Sequence, residues 1–429
     1  MSSKQQKLLN CDSLFTTLNN IELEPIQVHG VIRALLEKRV ILRYDTGLGK
    51  TIMMSVILRG LINAEPNKKR IVFVMKDQET ETPKKMAPIV QAPIIFTSAE
   101  NHKMQQMYKF WDRTSVILLT YQCLQNIELV SFLYTKLNEI DAIFIDEAHL
   151  VSNWTEANTS FMLRSIVDKV EYCIGLTATP IIRDTHQFSR LRNLINRDIS
   201  YKYDENVATP SPHKSFININ RQDFGLKGNY KSIPIFVTPM LHQLGKLKGN
   251  IFDITKGEGA INQVTKLLQL LQERSGKKVL VYIRYHKTRL WVEKYLHNNN
   301  ISFQSIHGKV TNTGDRKLIL NKFNTGEVPI LLTSLTTSLD IDADTVIMYE
   351  FTTYVKQMIG RAHRGLVPKD LEIIFILTRD TVELDYFMRY IYYRSELIQD
   401  TLGIDYSEFI ELGKKIEKEM LESDMVISI

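Results

Sequence analysis

The chain has 429 residues, 44% of them hydrophobic and 24% charged, enough apolar material for two or three domains of ordinary size. No apolar run approaches the ~20 residues of a membrane span. The start, Met1-Ser2-Ser3-Lys4-Gln5-Gln6-Lys7, lacks the apolar core of a signal peptide, and Cys11, Cys123 and Cys173 stand too far apart for metal-ligand spacing. A soluble protein with reduced thiols in a cytoplasmic setting is expected, and the net charge of +6 fits either a polyanion partner or solubility charge.

Residues 1–22 read as a polar arm. Glu24-Pro25-Ile26-Gln27 then leads into a helix whose Val28, Val31, Ile32, Leu35 and Leu36 recur at helical spacing. A short apolar strand, Val40-Ile41-Leu42, runs into Tyr44-Asp45-Thr46-Gly47-Leu48-Gly49-Lys50-Thr51 and a helical pattern from Ile52 to Leu61. Strand, glycine loop and helix in that order form a phosphate loop. Backbone N–H groups around Thr46, Gly47, Leu48 and Gly49 wrap the phosphates, Lys50 reaches the outer pair and Thr51 holds Mg2+. Tyr44 departs from the general pattern, which has Gly there.

Apolar runs at Ile71–Val74, Ile94–Phe96, Val116–Leu119, Ala142–Ile145 and Tyr172–Ile174 alternate with helical or loop stretches, the mark of a doubly wound parallel sheet. Ligands of such sheets sit at the carboxyl ends of the strands. There Ile143-Phe144-Ile145-Asp146-Glu147-Ala148-His149 supplies an acidic pair, Asp146 for the metal through water and Glu147 to polarise the attacking water. Residues 199–231, with Pro210, Pro212, Gly225 and Gly228, read as a linker or insertion.

From Ile233 a second unit repeats the alternation, with helices at Ile261–Leu271, Thr288–Leu296 and Asp315–Phe323 and strands at Lys278–Ile283, Ile301–Ile306, Ile330–Leu332, Val346–Tyr349 and Ile373–Leu377. It has no glycine-rich phosphate loop of its own. Gln357, Arg361 and Arg364 share one face of a predicted helix. Beyond Asp380 comes an aromatic helical stretch, Tyr386, Phe387, Tyr390, Tyr392 and Tyr393, which is either a base-stacking stripe or a packed brace. A charged amphipathic helix, Asp405–Glu422, follows.

Taken in order, Gly47-Leu48-Gly49-Lys50-Thr51, Asp146-Glu147-Ala148-His149, Gly175-Leu176-Thr177-Ala178-Thr179-Pro180 and Gln357-Met358-Ile359-Gly360-Arg361-Ala362-His363-Arg364 resemble the motif series of superfamily 2 helicases and translocases. The nearest likeness is to remodeller-type motors and the compact branch-migrating DNA helicases that phages encode. The resemblance spans about three quarters of the chain. It implies two tandem RecA-like doubly wound parallel-sheet domains, 23–198 with the ATP site and 232–380, with a short helical C-terminal extension, 381–429.

It further implies that Gln27 reads the adenine edge, that Thr177 and Thr179 link the acidic strand to the nucleic-acid surface, and that Thr120 and Tyr121 meet nucleic acid, though Tyr121 equally suits the core. Thr333 and Ser334 fall where the family touches the strand backbone, and Asp340 at an acidic position near the ribose, although Thr337 and Ser338 replace the usual glycines. Arg361 and Arg364 become arginine fingers beside Gln357. The implied protein is a monomeric, ATP- and Mg2+-dependent DNA motor, with an RNA helicase or an ATP-switched nucleic-acid clamp as alternatives.

Overall fold

The computed structural model describes residues 22–79, 81–153, 158–181, 186–196, 216–238, 261–308, 313–334, 341–350, 352, 354–363, 366–379 and 382–427. The chain divides into two compact units between Asn220 and Arg221.

The first unit opens with α1 (Pro25–Glu37), started by Pro25 at its first turn and by a capping box in which Gln27 Oε1 accepts from Glu24 N at 3.2 Å. Then follow β1 (Arg39–Tyr44), α2 (Lys50–Ala64), β2 (Lys69–Val74), α3 (Glu81–Val90), β3 (Ile94–Thr97), α4 (Asn101–Phe110) and β4 (Val116–Thr120). The unit continues through α5 (Ile127–Thr135), β5 (Ile140–Asp146), α6 (Asn158–Val167), β6 (Tyr172–Thr177), α7 (His186–Asn196) and β7 (Phe216–Ile219). The strands form one sheet in the order β3-β4-β2-β5-β6-β1-β7, parallel throughout.

Every residue of β2, β4, β5 and β6 is buried, as strands covered by helices on both faces require. Ile71 and Phe73 pack with Ile117, Leu119, Ile143 and Ile145 in a single apolar cluster, the alternate residues of three neighbouring strands. The span 199–231 contains more regular structure than its glycines and prolines indicate. β7 lies inside it and adds to the first sheet beside β1, with Arg43 opposite Asn218. Its Phe-Ile-Asn-Ile pattern is too short to stand out in a polar stretch, and pairing with β1 decides it.

In the second unit come β8 (Tyr230–Val237), α8 (Ile261–Glu273), β9 (Val279–Tyr282), α9 (His286–Asn298), β10 (Gln304–Ile306), α10 (Thr313–Asn324) and β11 (Ile330–Thr333). β12 (Thr345–Met348), α11 (Val355–Ala362) and β13 (Leu371–Thr378) complete a parallel sheet of order β10-β11-β9-β12-β13-β8. Its two faces carry separate cores, Leu280 and Tyr282 in one and Val279 and Val281 in the other.

The C-terminal extension is α12 (Val382–Phe387), a π-helical turn (Met388–Tyr392), α13 (Tyr393–Leu402) and α14 (Ser407–Ile427). The aromatic stretch is buried in part and exposed in part. Phe387 and Tyr392 are buried in the second unit's core, whereas Tyr390 and Tyr393 are exposed. Among the described residues no helix is long and apolar enough to cross a membrane. Cys123 and Cys173 are buried and form no disulfide among the described residues, and Cys11 lies outside them.

Candidate active site

Sheet order gathers the first unit's motifs. β5, β6 and β1 are adjacent, so the acidic pair, the Thr177–Thr179 turn and the glycine loop emerge side by side at their carboxyl ends. In the loop, Gly47 and Gly49 have φ of 80° and 81°, the left-handed region that a side chain penalises. A Cβ on Gly49 would also stand 2.3 Å from Gln27 Nε2. The loop opens directly into the first turn of α2, whose outward-pointing N–H groups and dipole favour an anion.

Lys50 Nζ donates to the carbonyls of Tyr44 and Asp45 at 3.1 and 3.5 Å, and Thr51 follows it on the first turn. Thr46 and Leu48 are buried and anchor the loop. Gln27 is buried as well, and its carboxamide holds Leu48 O at 3.2 Å with one end and the start of α1 with the other. Tyr44, the departure from the glycine pattern, has a structural use. Its hydroxyl donates to Ile26 O at 3.2 Å, and it fills the space above Gly30, where a Cβ would sit 2.2 Å from the phenol oxygen. Burial pushes its pKa well up, so it remains a neutral donor that fastens α1 to the loop.

Asp146 closes β5. Its Oδ1 accepts from Glu147 N at 3.1 Å and its Oδ2 from Gln78 Nε2 at 3.3 Å. Burial pushes the Asp146 carboxyl up to about 6, with the Glu147 charge adding and Lys50 opposing. Adjacent buried carboxylates of this kind are relieved by a cation. Glu147 has φ of 50°, a left-handed conformation costing a residue with a side chain about 1–2 kcal/mol, as is found where geometry serves function.

From Glu147 a polar path runs across β6. His149 Nδ1 lies 3.4 Å from Glu147 Oε2 and 3.0 Å from Thr177 Oγ1, which in turn accepts from Thr179 N at 3.1 Å. Burial lowers the His149 pKa, so a neutral imidazole hydrogen-bonds Thr177 and stands beside the Glu147 carboxylate without an ion pair. Tyr121 donates its hydroxyl to Asp146 O, and its burial holds that pKa high. Thr120 is fully buried with its hydroxyl 3.4 Å from Cys123 Sγ. The Thr120 hydroxyl, expected at a phosphate, faces inward to Cys123 of the following turn, while the Tyr121 bond braces the acidic strand from within.

The second unit holds its own set. Thr333 is buried at the end of β11 with Ser334 half-buried beyond it. Gln357, buried, and Arg361, half-buried, stand one helical turn apart on α11. Asp340 and Arg364 lie outside the described residues.

Two family models match the chain in series. "Type III restriction enzyme, res subunit" covers residues 17–182, and "Helicase conserved C-terminal domain" covers 262–365. Together they take in the glycine loop, the acidic pair, the Thr177–Thr179 turn and the Arg361 helix. The chain belongs to the superfamily 2 helicases.

This helicase is 22% identical over 456 residues to "Uncharacterized ATP-dependent helicase YqhH" of Bacillus subtilis (strain 168), across 87% of this chain and 78% of that protein. It is 24% identical over 170 residues to Dicer-like protein 2 of Pyricularia oryzae, across 36% of this chain but 11% of that one. Among solved structures, the Sulfolobus solfataricus SWI2/SNF2 ATPase core in complex with dsDNA aligns over 92% of this chain and 97% of that one, at 15% identity and a TM-score of 0.42. The two family models make the chain a nucleic-acid-dependent ATPase.

Among the described residues no three His, Cys, Asp or Glu side chains form a metal cluster. Two supporting residues carry no motif. Gln78 sits in a short 3-10 turn after β2, where only its hydrogen bond to Asp146 reveals it. Arg43 is a charge inside the apolar run Val40-Ile41-Leu42-Arg43-Tyr44, a signal the sequence does display.

Proposed function

We propose that this helicase is an ATP-driven DNA translocase acting on duplex or branched DNA, by branch migration, fork remodelling or unwinding. The observation that carries the reading is the placement of His149 between the two motifs, its Nδ1 3.0 Å from Thr177 Oγ1 and 3.4 Å from Glu147 Oε2, which sets the hydrolytic carboxylate beside the turn that the family uses for coupling. The choice of DNA rests on the Gly360-Arg361-Ala362-His363-Arg364 string, which resembles remodeller-type motors, together with the net charge of +6.

In this reading the glycine loop and Lys50 hold the phosphates of ATP, and Gln27 and Asp340 face the adenine and ribose. Thr51 and Asp146 would hold Mg2+, which supplies positive charge to the phosphate oxygens when bound. Water oxygen attacks the outer phosphorus as its proton passes to the Glu147 carboxylate. The bond to the bridging oxygen breaks, and ADP and phosphate leave. Arg361 and Arg364 neutralise charge on the transferred group beside Gln357, while Thr333 and Ser334 meet the strand backbone. The protein works as a monomer in the cytoplasm.

ATPase turnover against single-stranded, duplex, forked and four-way-junction DNA and against RNA tests this. Duplex or branched DNA should stimulate most, and displacement of a third strand from a triplex should accompany hydrolysis. Stimulation by RNA alone would transfer the activity to RNA, and stimulation by DNA without triplex displacement would leave an ATP-switched clamp.

A further inference from the structure

Arg43 is fully buried and joins three segments at the carboxyl edge of the first sheet. Its guanidinium meets Asp45 Oδ1 of the glycine loop at 2.5 Å and Ala178 O, between the two coupling threonines, at 3.1 Å. It also holds the end of β7 through Asn218 Oδ1 at 3.2 Å, Ile219 O at 3.0 Å and Asn220 Oδ1 at 2.7 Å. Asn220 is the last residue of the first unit.

The next residue, Arg221, is anchored just as firmly within the second unit. It is buried, and its guanidinium donates to His363 O at 3.0 Å and stands 3.5 Å from His363 Nε2. His363 directly follows α11, the helix of Gln357 and Arg361, and is itself held by the Tyr230 hydroxyl and by Val367 O at 2.9 Å. One peptide bond therefore separates a residue clamped to the nucleotide loop from a residue clamped to the end of the arginine helix.

We propose that Arg43 and Arg221 are positioning residues that make Asn218–Arg221 a taut tether, through which a movement of the glycine loop is passed along the chain to the Arg361 helix. The physical reason is stiffness. A crossover of four residues with buried, charge-assisted hydrogen bonds on both sides has little slack, whereas a solvated linker would absorb the movement in its own torsions. Each guanidinium offers five donors in a fixed plane, which fixes direction as well as distance, and a lysine cannot copy that. Because the output of the tether is Arg361, the inference rests on the arginine-finger role proposed above.

The test compares the full chain with Arg43→Lys, Arg221→Lys, the double variant, and an insertion of two glycines between Asn220 and Arg221. The insertion leaves both sets of anchors intact and adds only slack. ATP turnover is measured without polymer, with duplex DNA and with a homopolymeric RNA, and the ratio of stimulated to basal kcat is read beside KM for ATP. Expected are a ratio reduced about tenfold in each variant with basal kcat within about threefold of wild type, and a double variant no worse than either single one, since parts of one device fail as a unit.

A ratio unchanged in the insertion variant, or losses that multiply in the double variant, overturns the tether. If no polymer stimulates the wild type, ATP-induced change in amide hydrogen exchange over residues 355–362 takes the place of the ratio, and an equal change in wild type and insertion variant overturns it. Failure of the finger role itself is seen separately, as Arg361→Ala with full stimulated turnover.

Discussion

Two arginines of the first sheet are equally buried and stand at opposite edges of it, Arg70 where β2 begins and Arg43 where β1 ends. Arg70 pairs with Asp141 Oδ2 at 2.8 Å and donates to Leu61 O and Glu65 O at 2.8 and 2.6 Å, closing the turn from α2 into β2. Beside it Lys69 donates to Thr114 O and Asp112 O at 2.8 and 3.0 Å, and burial lowers its pKa despite the neighbouring carboxylates. Those partners are strand starts and helix ends. Arg43 instead holds the glycine loop, the Thr177–Thr179 turn and the crossover into the second unit.

The same residue type at the same depth therefore does different work according to the edge it occupies. Loops that change with a ligand lie at the carboxyl ends of parallel strands, and the amino ends carry only the cost and gain of closing the fold. Damage at the amino edge should appear as lost stability with intact chemistry, and damage at the carboxyl edge as lost chemistry or lost coupling with intact stability.

The largest expected effect is at the carboxyl edge. Glu147→Gln should lower kcat for ATP by on the order of 10^3-fold, the scale of a lost general base, while ATP still binds and the melting midpoint holds or rises slightly as repulsion with Asp146 is relieved. Steady-state turnover beside an equilibrium ATP titration measures both. Loss of nucleotide binding together with turnover would make Glu147 structural and blur the distinction between the edges.

At the amino edge, Asp141→Ala should cost about 3 kcal/mol of stability, because it leaves the Arg70 charge buried without its carboxylate. Denaturant unfolding gives the loss, and ATP turnover below the transition should match wild type. A lowered kcat at full folding would show the amino edge to be part of the mechanism.

The smallest effect concerns the second unit, where Lys227 meets Asp405 Oδ2 at 2.6 Å and Glu408 Oε2 at 3.0 Å with its side chain still 15% exposed. Burial alone would raise the Asp405 pKa, but the hydrogen bond and charge of Lys227 hold it below the ordinary carboxylate value. A carboxylate with a depressed folded-state pKa contributes stability above its unfolded value, near 4, and loses it as pH falls through the lowered folded value. Asp405→Asn should thus cost about 1 kcal/mol at neutral pH, with the gap to wild type closing below about pH 4. A gap independent of pH would mean that packing, not charge, holds α14 to this unit.

Much of this was legible along the chain because local chemistry dictated it. Gly47 and Gly49 before Lys50-Thr51 announce a left-handed loop on a helix start, and the unbroken apolar runs from Ile71 to Ile174 announce strands covered on both faces. Which loops meet depended on sheet order, since β1 lies beside β6 and β7 rather than beside β2, and no local pattern encodes a crossover. Tertiary structure therefore decided that Tyr44 fastens α1, that Gln78 reaches Asp146, that the Thr120 hydroxyl turns inward, and that Arg43 finds Ala178 and the end of β7 more than 130 positions away. The physical reason is the reach of the interactions. Propensity and periodicity act over a few residues and mark each element, whereas a buried guanidinium must satisfy its donors wherever the fold brings carbonyls and carboxylates, and only the assembled sheet says where that is.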